Sequence, residues 1–307
     1  MTFPATTVID DTPKAATRAP SARGEGNPAK AGWLTKTFLT VLCVLWMVPI
    51  IGTLVTSFRP LDDANNSGWW QVFTHPFDNL GNLTFDNYTR AWENSNMGQA
   101  FINSLAITLP ATFIPILIAA FAAYAFTFME FWGRDVLFLG IVGLLVVPNY
   151  VAFVPMLKIY GNLGMNGTFP AVWLAHIGFG MSLAIYILRN YMSSLPKAII
   201  ESAKIDGASH FTTFWRLIMP MSVPALASFA IFQFLWVWND LLIALLFLGR
   251  GDNTILTVAL QGLQGQTGQG IELIPSAGFV TIIVPLIVFL SLQRFFIRGM
   301  TAGAVKG

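Results

Sequence analysis

The sequence predicts an all-α polytopic membrane protein with six transmembrane helices. Only 10% of its 307 residues are charged and 55% are hydrophobic, whereas a soluble domain carries about 25% charged residues. The apolar residues form long continuous runs, which are typical of membrane-spanning helices rather than of the alternating strands of a membrane barrel. The basic residues are concentrated on one side of the resulting topology. These observations exclude a soluble globule and a disordered chain.

Six apolar runs each have about the 20 residues that a helix needs to cross the hydrocarbon core. They lie at about 34–57, 100–128, 136–157, 170–190, 223–248 and 276–297. Several runs contain proline: Pro49, Pro110, Pro115, Pro148, Pro155 and Pro285. A proline inside a helix frees a backbone carbonyl, which in lipid needs a partner in the protein or in a water-lined cavity. These prolines predict kinks, which are either purely structural or associated with a solute path.

An even number of spans places both termini on one side of the membrane. Only four of the 17 basic residues fall on the other side, namely Arg59, Arg90, Lys158 and Arg250. The positive-inside rule therefore predicts that both termini are cytoplasmic. We expect a disordered cytoplasmic tail over 1–32, a six-helix transmembrane domain over 33–297 and a short cytoplasmic tail over 298–307. The net charge of +2 gives no indication of nucleic-acid binding.

The connection between the fourth and fifth spans, residues 191–222, is too polar to cross the membrane. Gly207 can adopt the left-handed conformation that ends a helix, and Ser209 can cap a second helix. We expect this second helix to end at Pro220. Its apolar residues form one stripe, which consists of Phe211, Phe214, Trp215 and Ile218. The stripe is buried either against this chain's own helix ends and the lipid surface or in a groove of a cytoplasmic partner.

The same connection carries a motif. Glu201-Ser202-Ala203, Gly207 and Leu217-Ile218-Met219-Pro220 resemble the EAA motif of permease subunits in binding-protein-dependent ABC importers, which reads Glu-Ala-Ala, three residues, Gly, nine residues, Ile-x-Leu-Pro. Ser202, Leu217 and Met219 are conservative departures from it. Three further blocks are similar to the smaller, MalG-type permease of maltose-type carbohydrate importers: 79–88, Trp238-Asn239-Asp240 and 293–307. The resemblance implies the type I ABC importer permease fold.

The resemblance also implies an assembly in the plasma (inner) membrane of a bacterium. Its other members would be a second, MalF-like permease, two ATPase subunits that hold ATP and Mg, and an extracytoplasmic sugar-binding protein. The chain itself has no Gly-x4-Gly-Lys-Ser/Thr phosphate loop, no His-Glu-x-x-His and no Gly-x-Ser-x-Gly motif. We therefore expect that it is not an enzyme and binds no cofactor, so that its energy comes from a partner or an ion gradient.

The motif implies a set of residues that couple the permease to the ATPase. They are Glu201, Ala203, Asp206, Gly207, Phe211, Phe214 and Pro220. We expect Ala203 and Gly207 to permit close approach, and Glu201 and Asp206 to make polar contacts or caps. Glu201 could equally be a solvated surface charge, since most acidic side chains are exposed.

A second set of residues is predicted to line the substrate pathway. It comprises Gln233, Trp236, Asn239 and Asp240 in the fifth span, with Asn149 and Tyr150 beside Pro148. An acid inside the membrane is a functional hypothesis by default, and aromatic faces and amide groups suit sugar rings. Asn239 and Asp240 could equally cap a helix or pair between helices.

The polar loop 261–270 is expected outside. By resemblance this loop reaches into the binding protein through Gln264, Gly265 and Gln266, although an ordinary flexible loop would have the same composition.

The function predicted from these residues is translocation of a sugar, an oligosaccharide or an α-glucoside such as maltose or trehalose. ATP hydrolysis on separate subunits would drive it through the cytoplasmic connection. One alternative is a permease of a non-sugar ABC importer, because the EAA motif is shared with such permeases. Another is an ion-coupled secondary carrier, which predicts several membrane-embedded acids and inverted repeats. The sequence offers one such acid, Asp240, and no obvious repeat.

Overall fold

The computed structural model describes residues 32–94, 96–263 and 273–304, and for Asn94 and 295–304 it describes the backbone alone. These residues form helices α1 (Trp33–Ser57), α2 (Leu61–Asn66), α3 (Gln71–Thr74), α4 (Pro76–Asn79), α5 (Asp86–Asn94), α6 (Met97–Phe128), α7 (Arg134–Gly143), α8 (Asn149–Asn162), α9 (Phe169–Ser193), α10 (Lys197–Ile205), α11 (His210–Thr213), α12 (Met219–Trp238), α13 (Leu242–Phe247), α14 (Leu256–Gly262) and α15 (Ile274–Ala304). A π-helical turn, Phe214–Ile218, joins α11 to α12. The chain divides into two compact units, Met1–Pro49 and Ile50–Gly307. The predicted tail over 1–32 lies almost wholly outside the described residues.

The all-α fold and its apolar spans are confirmed. Within the described residues, five helices are long and apolar enough to cross a membrane, and a bent pair gives a sixth. The boundaries of several spans differ from the predicted ones, and the last helix is longer than predicted. Its backbone remains helical to Ala304, so the predicted tail over 298–307 begins inside a helix.

The third span is broken rather than kinked. The helical segment Arg134–Val146 and helix α8 meet at an angle of 98°. Val147 is extended, because the residue before a proline is driven out of the helical region, and Pro148 then precedes the first turn of α8. The sequence analysis predicted a single span with a kink here.

The fifth span is a continuous helix from His210 to Trp238, displaced toward the N-terminus from the predicted 223–248. Pro220 does not end it, which corrects the expected stop. Pro220 lies in the first turn of α12, directly after the π-helical turn, where its missing N–H is tolerated. The helix ends instead before Asn239, and the short α13 follows.

Three carbonyls that prolines free inside the spans are bonded by side chains of neighbouring helices. Pro110, Pro115 and Pro285 remove the hydrogen bonds to the carbonyls four residues earlier. The Trp173 indole donates to Ala106 O at 3.1 Å, the Gln233 amide to Ala111 O at 3.1 Å, and the Trp238 indole to Thr281 O at 3.0 Å. The prolines therefore mark the points at which α9 and α12 are bonded to α6 and α15.

We expect the Trp238 bond to matter only while Pro285 is present. Trp238→Phe leaves Thr281 O buried without a donor, which costs about 1–3 kcal/mol. In a Pro285→Ala background the alanine N–H bonds this carbonyl, so Trp238→Phe should cost about 1 kcal/mol less. The measurement is the free energy of unfolding of the four proteins in mixed micelles. Trp215→Phe serves as the control, since the Trp215 indole makes no hydrogen bond within the described residues. If Trp238→Phe lowers the free energy of unfolding equally with and without Pro285, the link between this bond and the proline is contradicted.

Candidate coupling segment and transport cavity

The connection between α9 and α12 forms a compact turn around Gly207. Gly207 has a φ of +74°, and the Ala208 N–H donates to Ala203 O at 2.9 Å while the Gly207 N–H donates to Lys204 O at 3.0 Å. This is a Schellman motif, which satisfies the last carbonyls of α10. Ser209 then caps α11 by accepting from the Thr212 N–H at 3.2 Å. The predicted roles of Gly207 as helix terminator and Ser209 as cap agree with this geometry.

The apolar stripe of the second helix is split between two surroundings. Phe214 and Ile218 are buried with Ile200 in a cluster formed by α6, α9 and α12, and Phe214 stacks on Phe121 at 4.4 Å between ring centroids. Phe211, by contrast, is 68% exposed. One edge of the stripe therefore anchors the segment to this chain, and the other edge is left open.

The predicted coupling residues do not share one surface. Ala203 is buried against this chain, and the close approach to another subunit that the motif suggested stays a prediction. Glu201 and Asp206 are exposed, as is Pro220. The sequence analysis missed Ile205, which is 86% exposed. The sequence does contain a signal for this residue, because Ile205 is an apolar side chain at the end of a polar helix, directly before Asp206-Gly207.

Two polar contacts hold the segment in place. The Tyr124 hydroxyl of α6 lies 3.0 Å from His210 Nδ1, and the Tyr191 hydroxyl of α9 donates to Met221 O at 3.2 Å. Together with the buried Phe214 and Ile218, these bonds make α11 an extension of the bundle. The segment is therefore bonded and packed directly against α6 and α9.

A cavity of about 520 Å³ lies where the broken third span meets α9 and α12. Three of the predicted pathway residues line it: Asn149, Gln233 and Trp236. Both hydrogen bonds of Gln233 use its amide nitrogen, to Ala111 O and to His176 O, so its amide oxygen has no donor within the described residues. Gly180 makes room for it, since an added Cβ would lie 2.6 Å from that oxygen.

The other pathway candidates have structural contacts. Asn239 Nδ2 donates to Leu235 O at 2.8 Å, and Asp240 Oδ2 accepts from the Ala244 N–H at 3.1 Å. Asp240 also lies 3.8 Å from Nε2 of the buried His176. These are the capping and pairing roles that the sequence left open. Tyr150 is 70% exposed and does not line the cavity.

His176 is a residue that the sequence analysis did not single out. Its ring meets that of Trp236 edge to face, with centroids 5.3 Å apart, and it is buried beside Asp240. His176 therefore packs against Trp236, one of the residues that line the cavity. The predicted binding-protein contacts Gln264, Gly265 and Gln266 lie outside the described residues.

A set of apolar spans, a cavity among three of them and a helix–Gly–helix connection agree with the permease subunit of an ABC importer. A family model described as "Binding-protein-dependent transport system inner membrane component" matches residues 29–302. The chain belongs to that family and is an inner-membrane component.

Relatives with known roles and a solved structure agree with this assignment. The chain is 50% identical over 269 residues to the osmoprotective compounds uptake permease protein GgtD of Synechocystis sp., covering 87% of this chain and 90% of GgtD. It is 53% identical over 231 residues to the alpha-glucoside transport system permease protein AglG of Rhizobium meliloti, covering 73% and 61% of the two chains. A chain of a bacterial alginate ABC transporter superposes with a TM-score of 0.70 at 17% identity over 85% of this chain and 94% of its own, which shows the shared fold.

The left-handed turn at Gly207 gives a sharp test. No atom would obstruct a Cβ there, so the cost of substitution is backbone strain alone, about 1–2 kcal/mol for an ordinary residue. Gly207→Val should speed hydrogen exchange of the amides at positions 207 and 208 about 5- to 30-fold and reduce solute uptake. Gly207→Asn is the control, because asparagine tolerates this conformation. Equal behaviour of the two variants would contradict the role of the turn.

Proposed function

We propose that this chain is the permease subunit of an importer for α-glucosides or related sugar-like solutes. The similarity to AglG and GgtD over most of the chain supports this solute class. The cavity suits such a solute, because Trp236 offers an aromatic face while Asn149 and Gln233 offer amide groups for hydroxyls. Maltose and trehalose are the first sugars to test.

The observation on which the proposed mechanism depends is the pair of exposed apolar side chains on either side of Gly207. Ile205 and Phe211 project from a turn that is anchored in the bundle through Phe214 and Ile218. Exposed apolar residues on a polar, rigidly held segment are typical of a surface that another protein covers. The cleft of an ATPase subunit is the proposed partner surface.

In this mechanism the chain contributes no catalytic group. ATP and Mg would be held by two ATPase subunits, and their closure would move α10 and α11. The displacement would pass through the continuous helix from His210 to Trp238 to the wall of the cavity. A second permease would complete the pathway, and an extracytoplasmic binding protein would deliver the solute. Both termini would be cytoplasmic, as the basic residues indicate.

The direct test is uptake by the complete importer reconstituted in vesicles. A panel would include maltose, trehalose, non-sugar compatible solutes and amino acids, with ATP inside. The proposal requires ATP-dependent uptake of α-glucosides or sugar-like solutes in preference to amino acids. Uptake driven by a proton or sodium gradient through this chain alone would instead establish a secondary carrier.

We expect the exposed pair to be required for coupling. Truncating buried apolar anchors at an interface typically costs 1 kcal/mol or more each. The double substitution Ile205→Ser and Phe211→Ser should therefore weaken binding of the ATPase subunits by about 30-fold or more. Ile205→Leu with Phe211→Leu keeps the apolar surface and should retain coupling. Pull-down of the ATPase and ATP-driven uptake are the measurements; full activity of the serine variant would refute the proposed docking.

A separate prediction concerns the cavity. Trp236→Ala removes the aromatic wall, and a lost aromatic contact of about 1 kcal/mol raises the KM for uptake about fivefold. ATP hydrolysis without solute should not change. Trp46→Ala is the control, since Trp46 is an exposed tryptophan of α1. An unchanged KM for Trp236→Ala would remove this cavity from the pathway.

A further inference from the structure

A second cavity lies at the end of the bundle that carries the coupling segment. Its volume is about 500 Å³. It opens between the ends of α6 and α9, the start of α7, and helix α10. Its floor is apolar, with Phe126 and Phe128, and its walls carry six charged side chains: Glu130, Arg134, Arg189, Lys197, Glu201 and Lys204.

The charges of this cavity are not balanced among themselves. Four cations face two carboxylates, and Arg134 bonds outward to the exposed Asp135 at 3.1 Å. Within the described part of the chain, no carboxylate lies within 4 Å of the nitrogen atoms of Arg189, Lys197 or Lys204. Nε of Arg189 is buried without a hydrogen-bond partner. Arg189 is partly buried, whereas Lys197 and Lys204 are exposed at the rim of the cavity. A partly buried guanidinium without a counter-ion, flanked by two further cations, favours an anion.

The surroundings indicate what kind of anion fits. The guanidinium of Arg189 lies 4.6 Å above the Phe138 ring, so the cationic group sits beside apolar surface rather than in open water. The turn between α6 and α7 exposes Trp132 almost completely, and tryptophan is enriched at the membrane–water interface. This combination of cations over an apolar floor, at the ends of the spans, matches a phosphate group that carries a hydrophobic tail.

We propose that this cavity binds the headgroup of an anionic phospholipid. The phosphate lies among Arg189, Lys197 and Lys204, and the glycerol and upper acyl chain run along Phe126 and Phe128. Two of the three cations belong to α10, whereas Arg189 and the phenylalanines belong to the spans. The lipid therefore bridges the coupling segment and the bundle. This site is independent of which solute is carried.

The test counts lipids on the assembled importer. The complex is purified from nanodiscs of phosphatidylethanolamine with increasing phosphatidylglycerol, and retained lipids are measured by native mass spectrometry. A basic residue beside an anionic membrane surface contributes about a fivefold change in affinity. Arg189→Gln with Lys197→Gln should therefore weaken phosphatidylglycerol retention about 25-fold. Lys158→Gln removes one positive charge from α8 away from this cavity and should leave retention unchanged.

Several outcomes would overturn the proposal. One is that the double variant retains as much phosphatidylglycerol as the wild type. Another is that millimolar inorganic phosphate saturates the site and displaces the lipid, which would indicate a soluble anion as the ligand. Absence of retained phosphatidylglycerol in the wild-type complex would indicate that the ATPase covers these cations. If the double variant fails to assemble, Lys197→Gln alone should show a fivefold loss and Arg189→Lys a smaller one.

Discussion

A carbonyl freed inside an apolar bundle needs a donor, and this requirement determines how the spans are joined. Water is absent from the hydrocarbon region, so an unbonded peptide group there costs several kcal/mol. In α6 and α15 three prolines create this need, and the side chains of Trp173, Gln233 and Trp238 meet it. Two of these donors belong to α12. The contacts fix α12 between α6 and α15 at specific heights, which apolar packing alone would not do.

The position of α12 connects the two ends of the proposed mechanism. The continuous helix His210–Trp238 has 29 residues, which corresponds to about 44 Å. Its first turn carries the exposed Phe211, and its last turns carry Gln233 and Trp236 at the cavity. Gln233 has a double role, because its amide nitrogen bonds the carbonyl freed by Pro115 while its side chain lines the cavity. A shift of α12 relative to α6 would therefore alter the cavity and strain this bond together.

The features predictable from the sequence are those with local causes. The number of apolar spans, the terminating Gly207 and the capping Ser209 follow from hydropathy and backbone conformation, and these three features agree with the structure. The 98° break before α8 and the helix through Pro220 depend on how a proline is accommodated in three dimensions. The helical periodicity predicted that Phe211 and Phe214 share one apolar stripe. Only the packing of the spans determines that Phe214 is buried and Phe211 is exposed.

In the proposed mechanism, the division of that stripe is what would allow the segment to act mechanically. If Phe211 and Phe214 were both buried in this chain, no apolar surface would remain for another subunit to hold. If both were exposed, a force on the segment would displace the turn without moving the spans. The structure buries Phe214 and Ile218 of the π-helical turn and exposes Ile205 of α10 and Phe211 of α11. The proposed docking surface and its attachment to the bundle are therefore adjacent. Ala203, for which the motif suggested a close approach to the ATPase, is buried within this chain, so in this single chain it faces its own bundle rather than the exposed side of the segment.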